Sequence, residues 1–168
     1  MWALMKRLCA AAFALTLAIP SFVWAQARPD LSGSWTLDVE KSDPAAVAAA
    51  GRGGGFGGRG GGNPNQIVIR QAADELFVTQ NGQAVPYKFD GSETAGPPGG
   101  ETHATAAWDG GKLVITWKRE YYAGVKDGYV TSRGKDVYTR AETVLTIEKT
   151  TADPQGKTTT RKFVYNKS

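Results

Sequence analysis

Cysteine and histidine are nearly missing from this chain. Its 168 residues hold one cysteine, Cys9, and one histidine, His103. Cys9 falls in an N-terminal segment that reads as a cleaved leader, so the mature chain has no thiol. That excludes disulfides, thiolate catalysis and cysteine–zinc sites together. An excess of either charge is also lacking: 20 basic and 16 acidic residues leave a formal +4, and Lys6 and Arg7 of the leader supply half of it. So small a balance gives no argument for a nucleic-acid partner. Past the leader, no apolar run approaches the ~20 residues that a spanning helix needs, so no membrane span is expected.

What is there begins with an address. Met1 to Arg7 carries two positive charges, Leu8 to Ile19 is apolar, and small residues alternate in Val23-Trp24-Ala25 and Ala25-Gln26-Ala27. This is the three-part layout of a secretory signal spanning residues 1–25, cleaved after Ala25 or Ala27. The mature chain, 26–168, is one domain's length. The expected location is the periplasm or beyond. Cys9 follows Lys6-Arg7-Leu8 and not a small-residue box, which excludes a lipoprotein anchor.

In Leu31 to Val39, Trp35, Leu37 and Val39 fall on one face and Ser34, Thr36 and Asp38 on the other, the period of a half-buried strand. Asp43-Pro44 offers a helix start, with Asp43 as N-cap and Ala45 to Ala50 as one or two turns. Nine of the twelve residues from Gly51 to Gly62 are glycine, so 51–63 reads as a flexible Gly/Arg-rich loop. Strands then follow at Gln66–Arg70, Glu75–Gln80, Gln83–Phe89, Thr102–Trp108, Lys112–Lys118, Val137–Lys149 and Lys157–Asn166. Asn81-Gly82, Asp109-Gly110-Gly111 and Asp153-Pro154-Gln155-Gly156 mark hairpins. Pro86 puts its strand at an edge or a bulge. Gly91–Gly100 reads as a loop, and Tyr121–Asp136 is ambiguous. Eight or nine short strands with almost no helix predict an all-β antiparallel barrel or sandwich, and sequential hairpins favour an up-and-down barrel.

Asp30-Leu31-Ser32-Gly33-Ser34-Trp35, continued by Thr36-Leu37-Asp38 and Lys41-Ser42, resembles the opening of small exported bacterial lipocalin-like (calycin-type) proteins. Many of these carry a Gly/Arg-rich insert after the first strand and later pairs such as Trp108-Asp109-Gly110. Gly33-Ser34-Trp35 matches the Gly-x-Trp signature of lipocalin barrels. The resemblance implies that Trp35 plugs the closed end while an arginine near the last strand stacks over it by a cation–π contact. Arg161 is the candidate, sharing a face with Phe163 and Tyr165; Lys162 and Lys167 compete for the role. The resemblance further implies a barrel cavity for a small hydrophobic molecule. The strand aromatics Phe77, Tyr87, Phe89, Trp108, Trp117, Phe163 and Tyr165 are then the interior ligand-binding candidates, although a filled barrel needs the same residue types.

Other chemistries find little. The Arg52–Gly62 run has two arginines and one aromatic, too few phosphate and stacking contacts for RNA. No Gly-Lys-Ser/Thr ends it, and a strand follows where a phosphate loop needs a helix. His103 with Glu101 is short of a metal set. No Gly-x-Ser-x-Gly is present, and neither Ser92 nor Ser132 has a recognisable partner. Glu142 and Glu148, read on one strand, stand ~20 Å apart, and Glu120 has no enforced mate. The expectation is therefore a non-enzyme with no cofactor and no metal. Either it carries a small molecule, or it is an envelope or extracellular module acting through its surface or glycine loop.

Overall fold

The computed structural model describes residues 28–51, 65–95 and 101–168. The segment expected to be a leader and residues 52–63 of the glycine-rich run lie outside the described residues. The described chain forms ten antiparallel strands in one nearly closed barrel, with a single short helix. In chain order these are β1 (Gly33–Leu37), α1 (Pro44–Gly51), β2 (Gln66–Gln71), β3 (Glu75–Gln80), β4 (Gln83–Lys88) and β5 (Thr94–Ala95). β6 (Glu101–Asp109), β7 (Lys112–Tyr122), β8 (Tyr129–Ala141), β9 (Val144–Ala152) and β10 (Thr158–Lys167) complete the sheet. The sheet order is β4-β3-β2-β1-β10-β9-β8-β7-β6-β5. Every sequence-consecutive pair is thus a neighbour except β4 and β5, which meet across a seam, and β1 is joined to β10. Pro86 lies on β4, the edge beside that seam, where its missing N–H costs no ladder bond.

Period-two alternation explains most of the sheet. Ile67 and Ile69 of β2, Leu113 and Ile115 of β7, and Leu145 and Ile147 of β9 are all buried, while their alternate neighbours are less so. The Asn81-Gly82 hairpin has both central residues at positive φ, 52° and 77°, as its two-residue connection requires.

Three local expectations are corrected. Val39 leaves the core face: β1 ends at Leu37, and the Asp38 carboxylate accepts the backbone N–H groups of Glu40 and Lys41 (both 3.2 Å) in a turn that leaves Val39 54% exposed. The predicted Val137–Lys149 strand is really two. Glu142 adopts a φ of 52°, and the reversal is held by Arg140 Nε donating to Glu142 O (2.8 Å) and by Lys167 N donating to Thr143 O (2.8 Å). Glu142 and Glu148 therefore do not share a strand. Finally, β5 arises within the stretch expected to be wholly loop, paired to β6 through Thr94↔Ala104 and Ala95↔His103.

α1 begins where Asp43-Pro44 indicated, but the Asp43 side chain does something else. Its carbonyl accepts the N–H groups of Ala46 and Val47, whereas its carboxylate accepts Lys162 N at 2.7 Å. Asp43 N in turn donates to Lys162 O (3.0 Å), and Ser42 Oγ bonds both the N–H and the carbonyl of Val164. The helix is thereby docked on β10, and Ala46 and Ala50 join the buried cluster.

Candidate functional site

The barrel has two unlike halves. Around Trp35 it is filled: Trp35, Leu31, Ile67, Ile69, Leu76, Leu113 and Leu145 are essentially inaccessible. Trp35 Nε1 donates to Leu31 O at 3.0 Å, so the indole enters the core with its one polar atom satisfied. Two cations lie over its ring, Arg140 Cζ and Lys167 Nζ, each 5.8 Å from the centroid. Arg140 also donates to Asp30 O. Gly33 makes room for this arrangement: its φ is +145°, and a side chain there would press on the Lys167 stem, 3.0 Å from a Cβ.

Arg161 is not part of this group. The strand pairing sets Trp35 opposite Lys167 and Leu37 opposite Tyr165. Arg161 stands six residues before Lys167, ~20 Å along β10. The expected Arg161–Trp35 stack is thus replaced by Arg140 and Lys167, and Arg161 belongs to the other half.

That half is hollow, with a cavity of about 360 Å³. Its walls follow from strand register. One hydrogen-bonded row carries Ile115, Asp136, Lys149 and Arg161 across β7 to β10; the next carries Trp117, Gly134, Thr151 and Thr159. Beyond these, Thr102, Arg119 and Ser132 face one another across β6, β7 and β8. Ala50 at the end of α1, Tyr121, Asp153, Lys157, Phe163 and Tyr165 also line the space. A second void beside Tyr87 measures about 20 Å³, room for about one water.

The polar groups of the cavity are ordered. Asp136 is 3% exposed, and it accepts Trp117 Nε1 at 3.1 Å while its other oxygen pairs with Lys149 Nζ at 3.4 Å. A buried carboxylate needs such partners to stay in place. Lys149 Nζ also lies 5.6 Å from the Phe163 ring centroid. Burial, and after it the Asp136 charge, raises the phenol pKa values of Tyr87, Tyr138 and Tyr165 above the ordinary 10.0. The three phenols are therefore neutral at physiological pH. Asp153 Oδ1 accepts the N–H groups of Gln155 (3.0 Å) and Lys157 (2.8 Å), fixing the β9–β10 turn at the rim.

The aromatic candidates are scattered. Trp117, Phe163 and Tyr165 line the cavity. Tyr87 is buried beside the small void. Phe89 and Trp108 meet edge to face, 5.7 Å between centroids, joining the end of β4 to β6 across the seam. Phe77 faces away from the interior: it alternates with Leu76 and Val78 and lies 5.7 Å beneath the Arg70 guanidinium on the outer surface. Of the charged wall of Arg119, Lys149, Lys157 and Arg161, the sequence reading named Arg161 alone, and named it for the Trp35 end of the barrel. A signal for it was available, since Arg119 shares strand parity with Trp117, Lys149 with Ile147, and Arg161 with Phe163.

His103 points outward between two carboxylates, Nδ1 3.3 Å from Glu93 and Nε2 3.0 Å from Glu101. Among the described residues, no group of three or more His, Cys, Asp or Glu side chains is arranged to hold a metal ion. Nor, among them, is any helix long and apolar enough to cross a membrane. No protein-family model, curated protein or solved structure matches the chain.

Proposed function

We propose that this is an exported, non-catalytic, lipocalin-like protein that takes a small molecule with an apolar body into the hollow half of its barrel. The observation that carries this reading is the 360 Å³ cavity walled by Trp117, Tyr121, Phe163 and Tyr165. It lies within the range of small-molecule sites, and its opposite end is packed solid around Trp35. Export rests on the residue pattern of positions 1–25.

The test uses the mature protein and the neutral fluorescent probe N-phenyl-1-naphthylamine. Saturable binding at one site is expected, and Thr151→Trp, which puts an indole into the cavity, abolishes it while the fold persists by circular dichroism. Binding that survives the plug contradicts the reading. Mass spectrometry of the protein from the envelope fraction is expected to give an N-terminus at Gln26 or Arg28, and an intact Met1 contradicts export by cleavage.

A second reading, a module acting through its surface, has one specific support. The β7–β8 connection carries Val125, 96% exposed, between Tyr122 and Tyr129, 56% and 74% exposed, and isolated apolar patches of this kind mark contact sites. Alanine at all three positions with probe binding intact but tissue or envelope pull-down lost would favour it.

A further inference from the structure

We propose that the ligand of this cavity is an amphipathic anion, its charged head held by the Arg161 guanidinium and its apolar body laid against Trp117 and Phe163. The inference rests on the binding reading above and names the chemical class that the site would take.

The argument begins with charge. Four cationic side chains line the cavity, Arg119, Lys149, Lys157 and Arg161, against two carboxylates, Asp136 and Asp153. Both carboxylates are already engaged. Asp136 is held by Trp117 Nε1 and Lys149 Nζ, and Asp153 Oδ1 by the backbone of its own turn. The lining therefore holds more cationic than anionic side chains. A concave site lined by one sign of charge focuses such a field and draws in anions.

Arg161 is the member built to bind. It shares a row with Lys149 and Asp136, yet Lys149 takes the carboxylate. Its Nε is buried and has no hydrogen-bond partner. Thr102 Oγ1, which lines the same cavity from β6, is likewise buried and unpartnered. Buried donors are nearly always satisfied, so an orphaned guanidinium nitrogen in a hollow points to a missing acceptor. The fork of an arginine fits a carboxylate or phosphate with two parallel hydrogen bonds. The head group is thus an oxyanion.

The rest of the wall suits an apolar body. Trp117 is held by its bond to Asp136, and Phe163 continues the aromatic surface along β10. Pairing an anionic head with an aliphatic or aromatic tail matches both parts of the lining.

The test is competition for bound N-phenyl-1-naphthylamine by decanoate, decyl phosphate and decanol, which share one alkyl chain. Decanoate or decyl phosphate is expected to displace the probe at a concentration at least roughly tenfold below that of decanol, the effect of one charge-assisted hydrogen bond. The tighter of the two anions identifies the head group. Arg161→Met keeps the apolar stem and removes the charge; it should erase the preference for anions and leave decanol displacement unchanged. Arg161→Lys should retain part of it. Thermal melting separates this from a structural role: Arg161→Met should melt no lower than the wild type, because it removes an unsatisfied buried donor. Equal displacement by decanol and decanoate, or an anion preference that survives Arg161→Met, overturns the inference and leaves the binding reading standing. A wild type that fails to bind the neutral probe overturns both.

Discussion

The Trp117 indole rests directly on Gly134 of the neighbouring strand: a Cβ at position 134 would overlap its six-membered ring and would also lie 2.6 Å from Thr150 O. The glycine is thus a matter of space. It lets the largest aromatic of the cavity lie flat against β8, where its Nε1 reaches Asp136. Gly134→Ala is expected to cost about 1–3 kcal/mol by overpacking. It should also displace the indole from Asp136, leaving that carboxylate with Lys149 as partner. Denaturant unfolding measures the cost. An unchanged midpoint would show that the indole has room to move.

Trp35→Ala should cost ~3–5 kcal/mol, the usual range for emptying a large buried aromatic site. Double-mutant cycles then map its partners. Coupling of several tenths of a kcal/mol or more is expected between Trp35 and Arg140, and between Trp35 and Lys167. Additivity is expected between Trp35 and Arg161. A cycle in which Arg161 couples and Arg140 does not would contradict the register of β1 with β10.

Stability should fall at both pH extremes for identifiable reasons. Tyr87, Tyr138 and Tyr165 have raised folded values, chiefly through burial. Their contribution is complete below the unfolded phenol value of 10.0 and is lost as pH rises through and beyond it. Tyrosinate absorbance from these three should appear together with loss of tertiary circular dichroism, not before it. Asp38 shows the opposite sign. Hydrogen bonds from Asn166 Nδ2 (3.0 Å) and Lys41 Nζ (3.0 Å) lower its pKa from 3.8 to about 2. Its contribution is present above 3.8 and is lost as pH falls towards 2. Asp38→Asn should flatten that acid limb in a pH-dependent melt; an unaltered limb would assign it to other carboxylates.

Much of the sheet was legible because period-two alternation and turn residues act locally. Asn81-Gly82 and Pro86 each specify their conformation within a few residues. The β8–β9 reversal was hidden because Glu142 takes positive φ without a glycine or asparagine to announce it. Arg161 illustrates the other limit. Parity assigns its side chain to the inner face, but only the long-range pairing of Trp35 with Lys167 decides at which end of the barrel it sits. Phe77 failed for a simpler reason, since aromatic character does not say which face of a strand is inward, and its neighbours Leu76 and Val78 did. The cavity itself depends on how strands from both ends of the chain close, which no local pattern carries.

The most direct measurement follows the three tryptophans of the described residues, Trp35, Trp108 and Trp117, through their indole N–H resonances in a titration of residues 26–168 with decanoate. Trp117 lines the hollow half, Trp108 closes the seam and Trp35 is sealed in the packed end. A saturable shift of the Trp117 signal with Trp35 unmoved is the expected result. A shift at Trp35 alone, or no shift at any of the three up to millimolar decanoate, would contradict binding in this cavity.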